Sequence, residues 1–400
     1  MELLAPAGNL EKLKWSATYG ADAVYFGTEF GSLRSFAGNF SLDDARQGID
    51  YLHKRGKKGY ATLNIYPFSD EFEKITDTAN ALDEMGVDAF IISDIGVLHE
   101  LSKLKLKAEL HISTQANTTN YQAALAYSKM GASRVILARE LSIDRICEIT
   151  EKTKGVIETE VFIHGAVCFS YSGRCAISDY MTGYRANRGE CKHPCRYKYH
   201  LVEELRPGKY MPVFEDNRGL YFFNSSDTAQ FEFLPKLMEA GVKSIKIEGR
   251  MKSIHYIASV VSFYRQLLDG KEFTREESLA LLNRVPNRGL SSGFMKGYID
   301  ENDYQVEGRG SQADSIFVGN TIEEKHDGKS VIEVRNKIHA GDTLEVLNTD
   351  GTLSEIIMET PLLTITGEKV SEANHTQFIL IDKEIPPYTI LRRVNNQQPA

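Results

Sequence analysis

Cys168, Cys175, Cys191 and Cys195 follow the spacing C-x6-C-x15-C-x3-C and make up four of the chain's five cysteines. Four thiolates from one segment are a soft ligand set, suited to zinc or to an iron-sulfur cluster. Structural zinc sites pair cysteines across two to four residues, twice, and only Cys191 and Cys195 are so spaced. The long gap from Cys168 to Cys175 therefore favours a 4Fe-4S cluster, with zinc as the alternative. Disulfides fit less well. The start MELLAPAGNLEKLKW has no basic leader before an apolar run, and no later stretch approaches the ~18 apolar residues of a membrane span. A cytoplasmic protein without a membrane partner is expected, and in that compartment clustered thiols are metal ligands or redox groups. The neighbours point the same way: SGR before Cys175 and NRG before Cys191 supply glycine turns and N–H donors beside anionic sulfur, with Arg174, Asn187 and Arg188 among them. Four cysteines complete a ligand set, so His164 and His193 are read as polar or substrate-contacting residues. Cys147, in DRICEIT, is read as a buried helix residue.

Something must hold this segment, and residues 1 to about 250 show what. Short apolar runs recur there at a spacing of roughly thirty residues, alternating with helical patterns. The runs LLAPAG, AVYFG, GYATLNI, AFIISD, ELHISTQ, RVILARE, EVFIHG and SIKIEG are apolar nearly throughout, as strands buried on both faces should be. Eight such strands predict a TIM-like (β/α)8 barrel, with an open doubly wound sheet as the alternative. YFFNSSD, residues 221–227, is a ninth candidate, either a barrel strand or part of a β insert after the seventh strand together with YKYHLVEEL. The cysteine segment, residues 164–200, follows the seventh strand and so falls at the face where a barrel keeps its active site.

Polar residues end several of these strands. They are Asn64, Asp94, Gln115, Asn117, Arg139, Glu140 and His164, with Lys246, Glu248 and Arg250 along KIEGR. Any one of them can be read as a helix cap or loop residue, Asp94 before Gly96 most readily. As a set they describe a mouth.

From about residue 310 the pattern changes to short alternating strands, IFVGNTI, SVIEVRN, DTLEVLN, FILID and TILRRV, with turns HDGK, AGD and TDGT between them. These predict a small antiparallel β-barrel. The domains expected are therefore 1–305, the barrel with its cysteine insert, and 306–400, the β domain. At 400 residues, with 42% hydrophobic and 26% charged composition, the chain is long enough for both cores. A net charge of -8 excludes a globally basic nucleic-acid binder; a polyanion needs a local patch.

EVFIHGAVCFSYSGRCAIS, supported by ELLAPAGNLEKLKWSATYGADAVYFG, HISTQANTTN, ILARELS, NRGECKHPCR and KIEGRMKS, resembles the collagenase-like peptidases of undetermined catalytic type, a family that includes RNA and ubiquinone hydroxylation proteins. The resemblance covers almost the whole chain. It implies a 4Fe-4S cluster on Cys168, Cys175, Cys191 and Cys195. The retained C-x3-C and the chain length resemble the tRNA-directed branch, which implies oxygen-independent hydroxylation of wobble uridine to 5-hydroxyuridine with prephenate as donor, and tRNA as partner. Other RNAs or a quinone precursor are the substrates of related branches. A homo- or hetero-oligomer with a related subunit is a further expectation.

On that reading a dicarboxylate such as prephenate calls for arginines in fork geometry, and Arg139, Arg174, Arg188 and Arg250 are the candidates. Glu140, Glu248 and His164 are the acid/base candidates. In CKHPCRYKYH, Lys192, Arg196 and Lys198 interleave with Tyr197 and Tyr199, forming either a phosphate-and-stacking surface for RNA or a solvated β edge. The β domain resembles those of translation factors by fold analogy. There is no HExxH and no GxSxG, so the peptidase alternative needs a constellation assembled by folding, such as His164 with a serine of FSYSG. A metal-stapled RNA-binding module is the third reading.

Overall fold

Runs such as AVYFG and AFII can be apolar at every position only if both strand faces are covered, and every residue of both is buried. In the computed structural model they belong to a closed parallel barrel. The structure describes residues 1–33, 39–168, 170, 172–175, 177–194, 214–216, 219–221, 226–297 and 312–395. Cys195, Arg196, Tyr197, Lys198 and the run YKYHLVEEL lie outside them.

The barrel strands are β1 (Glu2–Pro6), β2 (Ala23–Gly27), β3 (Lys58–Leu63), β4 (Ala89–Ile92), β5 (Glu109–Ile112), β6 (Arg134–Ile136), β7 (Glu158–Ala166) and, after the short strand β8 (Asp227–Ala229), β9 (Ser244–Ile247). Each pairs in parallel with the next, and β9 closes the ring by pairing with both β1 and β7. All eight strands are those expected from the sequence, and the doubly wound alternative is set aside by the closure. Of the ambiguous run YFFNSSD, residues 222–225 lie outside the described residues and Asp227 begins β8, which is not a barrel strand: it adds antiparallel to the end of β7 and carries a further short strand, β10 (Leu290–Ser291), on its other side. A hairpin, Phe214–Asp216 with Gly219–Tyr221, lies in the stretch expected to hold a β insert.

Between strands run α1 (Leu10–Thr18), α2 (Leu42–His53), α3 (Phe72–Glu84), α4 (Ile95–Ser102), α5 (Tyr121–Lys129), α6 (Ile143–Lys152), the short α7 (Ile177–Thr182) and α8 (Leu234–Ala240). Their starts follow capping chemistry: Ser41 and Asp44 form a reciprocal capping box, and Asp94 and Asn120 cap α4 and α5 with their side chains. Leu4, Ala23, Tyr25, Tyr60, Ala89, Ile91 and Ile136 fill the barrel, alternating small with large so that the layers interlock.

The barrel also encloses charge. Arg134 donates to Glu2 (2.6 Å), Glu158 (2.7 Å) and Glu160 (3.3 Å), and Lys246 donates to Glu160 at 3.1 Å. Tyr60 Oη donates to Glu2 at 2.7 Å. Burial pushes the Glu160 carboxyl up, but Lys246 and Arg134 outweigh it and hold it below its ordinary value. Burial lowers Lys246, with Glu160 opposing.

A second unit comprises residues Thr18–Gly20, Lys252–Asn287 and Gln312–Ala400, with α9 (Ile254–Leu268) and α10 (Arg275–Leu282); the first comprises Met1–Ala17, Ala21–Met251 and Arg288–Ser311. The boundary drawn from the sequence at 305/306 thus differs from this division by the two helices. Of the ten strands between Ser315 and Val394, eight form one antiparallel sheet and two a separate pair, around an apolar core that includes Val318, Ile332, Leu344 and Leu391. Arg392 is buried beside it, donating to Glu345 (2.6 Å) and Ser259 (3.2 Å). No helix among the described residues is long and apolar enough to cross a membrane.

Candidate active site

The carboxyl ends of β3, β5, β6, β7 and β9 face one mouth, and the residues there mostly hold one another. Arg139, just past β6, donates from Nη1 to the Ala166 carbonyl at 2.7 Å and from Nη2 to Glu248 at 3.2 Å, while its guanidinium lies 3.8 Å from the Phe162 ring centroid. One side chain thereby ties β6 to β7 and β9. The register between β7 and β9 slips at this height: Phe162 opposes Lys246, but His164 opposes Ile247. Such a bulge re-aims side chains near active sites. His164 is buried, and its carbonyl accepts the Glu248 N–H at 2.9 Å.

The cysteine segment is fastened over this mouth at three points. Glu140 accepts the backbone N–H (2.6 Å) and the hydroxyl (3.3 Å) of Ser172. Gly173, at φ +74°, packs so closely on the Gln115 carbonyl that a Cβ there would overlap it, so only glycine fits. That carbonyl also accepts the Tyr66 hydroxyl at 2.6 Å. Farther on, Arg188 grips both oxygens of Glu71 at 2.5 Å, reaches the Tyr66 carbonyl at 3.1 Å, and lies 4.4 Å from the Phe68 ring centroid. Bonding to Arg188 holds the Glu71 carboxyl down to about 2. The Asn187 carbonyl accepts the Tyr66 N–H at 3.3 Å.

Cys168 is exposed, and Cys175 and Cys191 are half-buried. Cys191 Sγ accepts the His193 N–H at 3.4 Å, and His193 reaches this position by taking φ 55°. A backbone donor to sulfur is the kind of contact that tunes a metal-bound thiolate. Among the described residues no three of the metal-ligating types gather into a group that could hold an ion, and the fourth cysteine lies outside them. In chemistry the donor set fits a soft metal or cluster: four thiols on one segment, with a hydrogen bond already supplied to sulfur.

The other predicted residues fall in several places. Asn64 accepts the Leu33 N–H at 3.0 Å, and Asp94 is the side-chain cap of α4, with Val97 N–H at 3.0 Å. Asn117 sits in left-handed geometry with its Oδ1 buried and without a hydrogen-bond partner among the described residues. Lys246 is inside the barrel with Glu160. Arg250 is buried against Gly27, donating to Ser32 and Asn39 at 2.6 Å each. Arg174 is exposed, with no ion pair among the described residues. Lys192 lies 4.5 Å from the Tyr184 ring centroid.

Sequence reasoning missed Tyr66, Phe68 and Glu71, whose only signal was a polar, aromatic loop, YPFSDE, directly after a barrel strand. It also missed a pocket of roughly 800 Å³, open mouth included, lined by Arg139, Phe162, Cys168, Thr228, Gln230 and Phe294 among others.

A barrel of this kind, with a cysteine-bearing segment fastened at its mouth and a separate antiparallel β domain, defines a family. The family model for Peptidase family U32 matches residues 8–305, and that for the Peptidase family U32 C-terminal domain matches residues 313–392. The chain belongs to the U32 family. It is 34% identical over 402 residues to "tRNA hydroxylation protein P1" of Bacillus subtilis, covering 98% of this chain and 94% of that one. It is 32% identical over 391 residues to a 23S rRNA 5-hydroxycytidine synthase of Escherichia coli, covering 96% of this chain and 57% of that one. A Porphyromonas gingivalis protein named "Collagenase" is 30% identical over 399 residues, covering 95% and 94%.

Proposed function

We propose that this protein hydroxylates RNA, and that its substrate is the wobble uridine of tRNA, converted to 5-hydroxyuridine without molecular oxygen. Relatives named for tRNA and rRNA hydroxylation align over nearly the whole chain and support the RNA class. The observation that carries the reading is the fastening of the cysteine segment across the barrel mouth through Ser172, Gly173 and Arg188. Barrel enzymes do their chemistry at that end.

Cys168, Cys175, Cys191 and Cys195 would hold a 4Fe-4S cluster, with zinc as the alternative, and a bound cluster supplies electron transfer or Lewis acidity. The chain's own residues do the positioning. Arg139 is fixed by three partners and presents a rigid guanidinium edge to the mouth. Arg174 is exposed and has no ion pair among the described residues, which suits it to an anionic oxygen donor such as prephenate. Arg188 and Arg250 hold loops through Glu71 and through Ser32 and Asn39. Glu248, against Arg139, and His164, beneath it, are the acid/base candidates, and Glu140 positions the segment.

The collagenase name raises proteolysis. Ser172 is the serine held at this mouth, and both its hydroxyl and its N–H donate to Glu140, an arrangement that fixes a turn. Mass spectrometry of tRNA nucleosides from cells with and without the gene tests the proposal. Loss of 5-hydroxyuridine without the gene supports it, and an unchanged level in a strain with no other route to that nucleoside overturns it. Gelatin cleavage by metal-free protein, abolished by Ser172→Ala, would establish the peptidase instead.

A further inference from the structure

The pocket between β6, β7, β8 and the turn Gly293–Lys296 is apolar on most sides, with Leu137, Leu141, Val161, Phe294 and Met295 in its walls. Ser226, Thr228 and Ser291 add hydroxyls to it, and two further polar atoms of its lining residues are buried. Arg139 Nε–H and Gln230 Oε1 are each buried without a hydrogen-bond partner among the described residues. Their other nitrogens each already make a hydrogen bond. Arg139 Nη1 and Nη2 are bonded to Ala166 and Glu248, and Gln230, only 6% exposed, donates from Nε2 to the Ser292 carbonyl at 3.3 Å. The Gln230 N–H is anchored on the Ile163 carbonyl at 3.0 Å, so the side chain springs from a fixed backbone.

Beside the hydroxyls of Ser226, Thr228 and Ser291, the lining thus holds one donor atom and one acceptor atom with no partner among the described residues. Arg139, the one guanidinium among its described lining residues, is already paired with the Glu248 carboxylate, which disfavours a dicarboxylate there: a second anion would compete with Glu248. A neutral planar ring with a neighbouring acceptor and donor matches better. The edge of a pyrimidine base is such a pair, and its flat faces suit apolar walls and the Phe294 ring. Buried polar groups left unpaired are costly, so a ligand that pairs both gains selectivity over one that cannot. Cys168 lines the same space, which sets the ring beside the cysteine segment.

We infer that this pocket receives the target pyrimidine, unstacked from an RNA loop, with Arg139 Nε–H and Gln230 Oε1 reading its hydrogen-bonding edge and Phe294 packing against its face. This rests on the RNA reading above and adds the site and its specificity residues.

The probes are three stem-loop RNAs that differ only at the target loop position: uridine, 3-methyluridine, whose ring N–H is blocked, and an abasic nucleotide. Binding to the full-length chain is followed by fluorescence anisotropy. Wild type should prefer uridine over 3-methyluridine by on the order of tenfold or more. Gln230→Leu should erase that preference. Phe294→Ala should weaken both base-bearing loops together and leave their ratio unchanged, which keeps the test open if the Gln230 variant folds poorly. A 5-bromouridine at the same position should crosslink to a peptide containing Cys168 or Phe294. An intact uridine preference in folded Gln230→Leu, or crosslinks confined elsewhere, overturns the pocket assignment; if cellular 5-hydroxyuridine still depends on the gene, the RNA function survives that result. Absence of binding to every RNA, with cellular nucleosides unchanged, removes both.

Discussion

At the scale of single residues, Arg139 shows what the mouth demands. It makes three kinds of contact at once: a carbonyl bond, an ion pair and a stack on Phe162. Lysine has one point charge and no plane, so it cannot replace the set. Arg139→Lys should lower RNA hydroxylation by about tenfold or more while leaving the thermal midpoint within a few degrees of wild type; single-turnover nucleoside analysis and calorimetry together check this. That Arg139 ends a strand and belongs to a mouth was legible in the sequence. Its partners were not, because Glu248 lies 109 residues away and nothing local marks the pair. The same is true of Arg188 and Glu71, separated by 117 residues. Sequence reasoning grouped Arg188 with arginines awaiting an anion, and its fork is closed on a carboxylate of the protein. Gln230 had no signal at all: it follows β8, a three-residue strand that periodicity could not separate from its surroundings.

At the scale of elements, all eight barrel strands were legible, since burial on both faces leaves unbroken apolar runs. The fastening of the cysteine segment was only half legible. SGR could be read as a glycine turn, but its docking on the Gln115 carbonyl is a tertiary fact. Gly173→Ala places a side chain at φ +74° and against that carbonyl, so the turn must lift. The variant should lose iron content and hydroxylation severalfold, with a barrel unfolding transition close to wild type. Elemental analysis and calorimetry on the same preparation decide it; full iron content and activity would show that the turn does not position the cysteines.

At the scale of the molecule, stability depends on charge hidden in both units. Strand patterns did not reveal it, because Arg134, Glu160 and Lys246 satisfy one another across the barrel rather than along the chain. Arg134→Met would leave Glu2, Glu158 and Glu160 short of a cation, and urea unfolding should show a loss of about 3–5 kcal/mol. In the second unit, burial and then the nearby Arg392 hold the His255 pKa down to about 3. The folded state keeps this ring neutral while the unfolded chain protonates it near its ordinary 6.5. Its contribution is therefore complete above pH 6.5 and is lost progressively as pH falls toward 3. Melting of the second unit should drop between pH 7 and pH 4, and His255→Gln should flatten that slope.

On the proposed function, this chain hydroxylates tRNA through the segment fastened over its barrel. Nucleoside mass spectrometry of tRNA from a deletion strain, complemented with wild type or with Cys191→Ser, tests it most directly. Wild type should restore 5-hydroxyuridine and Cys191→Ser, expressed at the same level, should not. Equal restoration by both, or restoration by neither, would contradict it.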